Sequence, residues 1–115
     1  MASKLAIIVL IHGLAPSYGV NPYVAQAICR RESAFNPLAI GDNGDAVGLW
    51  QWHLSSWEFV RAKMGRSLED DRADEIESTE TALYAMGILG LSRWWSTYEA
   101  ALGEVRGLGD SSGGS

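Results

Sequence analysis

Glu32 is an ionisable carboxylate that falls on an apolar helical stripe, and that combination can make an ordinary glutamate a proton donor. It lies in the run Asn21-Pro22-Tyr23-Val24-Ala25-Gln26-Ala27-Ile28-Cys29-Arg30-Arg31-Glu32-Ser33. Asn21 is a favourable N-cap and Pro22 a favourable first helical residue, so the start of the helix is well marked. Steps of three and four from Val24 reach Ala27, Ile28 and then Glu32; from Ala25 they reach Ile28, Cys29 and again Glu32. Arg30 and Arg31 fall toward the other side. A desolvated carboxylate favours its neutral form, which is what a general acid needs near neutral pH. The competing reading is a helix-end glutamate that reaches solvent or pairs with Arg30 or Arg31.

The other chemically capable residues are less suggestive by themselves. Cys29, the single cysteine, shares the stripe and reads as a packed core residue, not a nucleophile. Asp42 and Asp45 stand in Gly41-Asp42-Asn43-Gly44-Asp45, where local turn bonding is the ordinary use of Asp and Asn. That segment lacks the spacing of a calcium loop, and His12 and His53 have no ligand partners at metal spacing. No metal site and no cofactor are therefore expected.

Mostly helical elements must carry these residues. Met1 to Ile11 has the basic and apolar parts of a signal peptide, but Pro16 fits poorly after Gly13-Leu14-Ala15 as a cleavage site. The apolar run is too short to span a bilayer. A structural helix from Ser3 to Ala15 is the favoured reading, because so small a domain needs that core. Ser33 to Gly48 is loop or hairpin chemistry, and Val47 to Trp52 alternates like a short strand, with Trp50 and Trp52 on one side. A third helix is expected to begin at Ser55, with Glu58 completing a capping box and Leu54 and Phe59 a hydrophobic staple, and to end at Gly65. A fourth runs from Asp74 to Leu89 with Ile76, Thr79, Leu83, Met86 and Gly87 along one stripe. A last helix carries Trp94, Trp95, Tyr98, Leu102 and Val105. The expected class is α+β, predominantly α: about five helices with one short β-hairpin. Residues 1–106 form one domain, and the Gly- and Ser-rich stretch 107–115 reads as a flexible tail.

At 115 residues, with 47% hydrophobic and 20% charged side chains, the chain is a folded domain and not a disordered one. Its net charge of −5 argues against nucleic acid or an anionic membrane as the main partner. A monomer is expected.

Arg31-Glu32-Ser33-Ala34-Phe35-Asn36-Pro37 followed by Gly48-Leu49-Trp50-Gln51 resembles the lysozyme-like superfamily. Goose-type lysozymes and soluble lytic transglycosylases are the most similar branches. Glu-Ser at a helix end and Gly-Leu-x-Gln in a following hairpin carry the resemblance, which covers residues 5 to 105. It implies a lysozyme-like fold with a sugar cleft beside the hairpin, and peptidoglycan as the substrate. Glu32 maps to the general acid, and Ser33 to a residue that fixes the acid's surroundings. Gln51 maps to a cleft amide offering donor and acceptor to the sugar. Gly48 would allow backbone and sugar to approach closely.

The branches differ in how they finish the reaction. Inverting hydrolases need a second carboxylate about 6.5–9.5 Å from the acid to hold a water. Lytic transglycosylases close the sugar on itself, leaving a 1,6-anhydro end. Asp42 occupies the place where transglycosylases carry Ser and goose-type enzymes carry Asp. Goose-type enzymes have another Asp two residues after the Gln, where this chain has His53. The transglycosylase Ala-Tyr-Asn segment is absent, and Tyr84 or Trp94 to Tyr98 would supply that cleft wall. The resemblance thus favours a muramidase that hydrolyses the β-1,4 bond between N-acetylmuramic acid and N-acetylglucosamine. Glu32 is its acid, Asp42 or Asp45 orients the water, and Ser33, Gly48, Trp50, Gln51, Trp52, His53, Tyr84 and Trp94 line the glycan site. The alternatives are a lytic transglycosylase and a non-catalytic glycan-binding domain. Such an enzyme would act at the bacterial cell wall, delivered by a phage as an endolysin or made by the bacterium.

Overall fold

A computed structural model describes residues 2–113, with side chains described through residue 107. The described residues form five helices and a small three-stranded antiparallel sheet, the α+β arrangement expected from the sequence. Helix α1, Lys4–Leu14, starts at Ser3, whose hydroxyl accepts from the Ala6 amide. It packs on α2, Pro22–Ser33, and places Ile7 and Ile11 in the core, while Leu5 and Val9 stay exposed. Asn21 caps α2 by accepting from the Tyr23 and Val24 amides. The apolar stripe of α2 is buried as its spacing requires: Val24, Ala25, Ala27, Ile28 and Cys29 all face inward. No helix among the described residues is long and apolar enough to cross a membrane.

Strands β1 (Ile40–Gly41), β2 (Ala46–Val47) and β3 (Trp52–His53) pair in that order. The expected continuous strand from Val47 to Trp52 is not formed. Gly48 and Gln51 have φ of 87° and 50°, so the chain turns twice between β2 and β3. Leu49 and Trp50 are both buried, so consecutive side chains share a side. A tight turn achieves this, and a pleated strand cannot.

Helix α3, Leu54–Met64, begins two residues earlier than its capping-box signal. The pairing of Ala46 with His53 holds His53 extended, so the strand passes directly into the helix and Ser55 is already inside it. Gly65 ends α3 in the left-handed conformation, as expected. Asp74 caps α4, Glu75–Gly87, by accepting from Ile76 and Glu77. The inner face of α4 contains Thr79, Leu83 and Met86, but Ile76 is exposed, because the stripe starts only at Ser78. Any Cβ at Gly87 would collide with the Tyr18 carbonyl, so this glycine allows α4 to approach the turn that follows α1.

Trp94 and Trp95 precede the last helix instead of riding on it: Ser92–Trp94 forms one 3-10 turn, and α5 spans Tyr98–Gly113. Helix α5 therefore continues beyond Gly107, where a flexible tail was expected. Elongating an established helix adds a hydrogen bond for each residue fixed, so poor helix formers can follow a packed segment. Residues 114–115 of that tail lie outside the described residues. Helix α5 lies across α2, where Arg30 and Arg31 both pair with Glu104 and hold its carboxyl below the usual glutamate range.

Candidate active site

The last turn of α2 carries Glu32 to the edge of a cleft of about 370 Å³. Helix α2 stops one residue later because Ala34 and Phe35 adopt left-handed φ values of 52° and 63°, which lead the chain toward Asn36-Pro37. Glu32 is half-buried, and Oε2 accepts a hydrogen bond from the Thr97 hydroxyl at 2.7 Å. Burial pushes its carboxyl above the ordinary glutamate value; the Thr97 bond opposes this, and the negative charge of Asp42 adds to it. The competing ion-pair reading does not describe this site, since Arg30 and Arg31 are engaged with Glu104.

Asp42 and His53 line the same cleft from the sheet. Asp42 has φ 49° and leads the turn between β1 and β2; His53 ends β3. The antiparallel register brings them together, and His53 Nε2 lies 2.9 Å from Asp42 Oδ2. Asp45 is exposed outside the cleft lining, and its carbonyl accepts from Arg72. Asp45 is therefore not placed to position a water beside Glu32, since it stands after the turn at Gly44 and outside the cleft lining.

Gln51 lines the cleft, yet its amide nitrogen donates inward to the Ala39 and Gly48 carbonyls at 3.1 and 2.9 Å. Both amide protons are therefore engaged in holding the loop, and the expected donor to a sugar is not available. Its left-handed backbone folds the side chain back onto β1, where its oxygen lies against Gly41. Gly48 is not in the cleft lining. Its close neighbour is the Arg72 carbonyl, so a backbone contact, not a sugar, explains the glycine. Ser33 also lies outside the lining, bonding back to the Cys29 carbonyl at 3.1 Å as serine in a last helical turn commonly does. Tyr84 points to the α3–α4 side, where its hydroxyl donates to the Lys63 carbonyl. Tyr84 is not among the residues that line the cleft, so it supplies no wall.

The tryptophans divide between floor and rim. Trp50 is 0% exposed and donates from Nε1 to Thr79, while its carbonyl accepts from Trp95 Nε1. Trp52 donates to the Ser78 carbonyl and meets Trp95 and Trp57 edge to face, with centroids 5.3 and 6.0 Å away. Trp50 and Trp52 therefore form a rigid floor and are not open stacking platforms, because their indole N–H groups find partners only in the interior. Trp94, 47% exposed and leaning on Phe59, is the open aromatic at the rim. Trp95, Ser96 and Thr97 line the cleft with Trp94, within the stretch expected to supply a wall, and Arg31 and Ser56 join them. Nothing local distinguishes Thr97, since its partner is 65 residues away. Cys29 is fully buried beneath the site, its thiol pushed up to about 12 chiefly by desolvation, and it is chemically quiet there.

Replacing Thr97 with Val removes a donor that favours the ionised carboxylate. The Glu32 pKa is then expected to rise further, and the alkaline limb of a pH–rate profile should move to higher pH. A profile identical to wild type would show that the hydroxyl has no influence on the acid.

Residues 10–103 match the family model described as the transglycosylase SLT domain. Among curated proteins and among solved structures, nothing matches. The matched span begins within α1, includes Glu32, the sheet and the whole cleft, and ends within α5. With a half-buried acid at the end of α2 facing a small sheet across a cleft, and with most of its length matched, the chain belongs to the transglycosylase SLT domain family of the lysozyme-like superfamily.

Proposed function

We propose that this chain cleaves the β-1,4 bond between N-acetylmuramic acid and N-acetylglucosamine in peptidoglycan, with Glu32 as the general acid. The observation that carries this is Glu32 itself. It is half-buried, held by Thr97, and shifted toward the protonated form at the edge of a cleft large enough for sugar. Glu32 gives its proton to the glycosidic oxygen as the C1–O bond breaks, and the resulting positive charge at C1 is relieved by the carboxylate left behind. The binding-module alternative is weaker, since a pure binder has no use for a destabilised acid.

Hydrolysis is the favoured completion. Asp42 is the second carboxylate among the described lining residues, and its charge is near enough to raise Glu32. A water between them would attack C1 from the far face. The family match and the exposure of Asp42 favour the second reading, a lytic transglycosylase in which the sugar's own 6-hydroxyl attacks. Digestion of purified sacculi and mass spectrometry of the products separates the two: reducing ends are expected from hydrolysis, and predominantly 1,6-anhydro ends would overturn it. The proposed place of action is the bacterial cell wall, reached from a phage or from the bacterium, by a monomeric enzyme. Neither nucleic acid nor membrane is a proposed partner.

A further inference from the structure

Hydrolysis needs an atom to receive the proton of the attacking water, and the Asp42 carboxylate beside that water has one oxygen paired with His53. Its Oδ2 lies 2.9 Å from His53 Nε2, and both side chains line the cleft that Glu32 enters from the other side. We propose that His53 Nδ1 is the general base and that Asp42 is its positioning residue, an inference that rests on the hydrolytic reading above.

An ionised Asp42 accepts the Nε2 proton, and that bond fixes the imidazole tautomer. The lone pair then resides on Nδ1. His53 occupies the N-cap of α3, where a side chain ordinarily bonds to the helix amides, yet it makes no such bond. Among the described residues, its side chain bonds to Asp42 alone. Both members of the pair are accessible to solvent, with side chains 49% and 68% exposed, so water reaches the ring. The backbone beneath them is firm. Arg72 donates from Nη1 to the carbonyls of Asp45 and Trp52, which flank the pair, and is itself held by Asp70. Charged groups near the pair include Glu32 and Arg31 in the cleft lining, and Arg72 with Asp45, Asp70 and Glu58 around it.

The step balances simply. The C1–O bond breaks and the Glu32 proton goes to the leaving oxygen. A water oxygen bonds to C1, and its proton goes to Nδ1. Solvent then carries that proton from the imidazolium back to the Glu32 carboxylate, restoring the enzyme.

The test uses the full chain on intact sacculi with His53→Asn, Asp42→Asn and the double variant. Initial rates and the ratio of reducing to 1,6-anhydro ends are both read. Asparagine is a favourable N-cap, so α3 is retained. Each single variant should lose about 10²-fold in hydrolytic rate. The double variant should lose no more than the worse single, because the two act as a unit. The share of anhydro ends should rise, a change that general loosening of the sheet would not produce. His53→Gln must behave like His53→Asn; a difference between them would point to helix capping and overturn the proposal. So would a His53→Asn enzyme with wild-type rate and products beside a crippled Asp42→Asn enzyme. If the wild type itself yields only anhydro ends, the hydrolytic reading falls and takes this pair with it. The wild-type arm distinguishes the two failures.

Discussion

Glu32→Gln should reduce glycan cleavage by at least about 10³-fold while leaving the fold and peptidoglycan binding intact. Glutamine keeps an oxygen where Oε2 accepts from Thr97, so the 2.7 Å contact survives and only the transferable proton is lost. The remaining parts of the site, including the tryptophan floor and the Asp42–His53 pair, make no bond to the side chain that changes. Turbidity loss of a cell-wall suspension measures the rate, and pelleting with sacculi measures the binding. A variant within tenfold of wild type would remove Glu32 from the chemistry.

The same substitution has a signature in stability. Protonated Glu32 bears little cost of burial, whereas the ionised form does, which is why its carboxyl lies above the ordinary value. Wild type therefore holds this stability below the ordinary glutamate pKa and loses it as pH rises through the raised one. Glutamine cannot ionise. The stability of Glu32→Gln relative to wild type should thus grow from acid to neutral pH. Urea melts at several pH values read this directly, and a constant difference would contradict the desolvation account.

Gly48→Ala should be among the most damaging single-methyl additions to the chain. Gly48 has φ of 87°, where a Cβ is strained, and the added carbon would run into the backbone carbonyl of Arg72. The Gly48 amide also donates to the Ala39 carbonyl at 2.8 Å, and its own carbonyl accepts from Gln51 at 2.9 Å. Escape from the clash must move one of these partners. The conformational strain costs about 1–3 kcal/mol, and displaced backbone adds to it, so a loss of about 3 kcal/mol or more is expected. Denaturant midpoints check the stability. Activity should fall as well, because Arg72 bonds the carbonyls beside Asp42 and His53. Alanine at this position with wild-type stability would mean that the 66–74 segment yields easily, against its network of Asp70 and Arg72 contacts.

What local chemistry controls was legible in the chain itself. Asn21-Pro22 set the start of α2, period 3.6 set its buried face, and together they placed Glu32 at the boundary of core and solvent. Asp74 and Gly65 marked helix ends for equally local reasons, a side-chain cap and a left-handed turn. The Glu-Ser and Gly-Leu-x-Gln segments carried the resemblance to the family whose model the chain matches.

Local rules misled where a long-range contact outweighed them. Alternation from Val47 to Trp52 imitated a strand, but the indoles of Trp50 and Trp52 needed acceptors on α4, and reaching them required two turns. Gly48 looked like room for a sugar, and proved to be room for Arg72, a charged residue whose burial no local pattern announces. Ser55 looked like a cap until strand pairing made His53 the preceding residue. The acid's own partner, Thr97, and the meeting of Asp42 with His53 came from tertiary structure alone. The sequence determined which carboxylate lies at the edge of the core, because helix periodicity is a property of neighbours. Only the fold decided what surrounds that carboxylate, because desolvation, hydrogen bonding and charge act between residues that are distant along the chain.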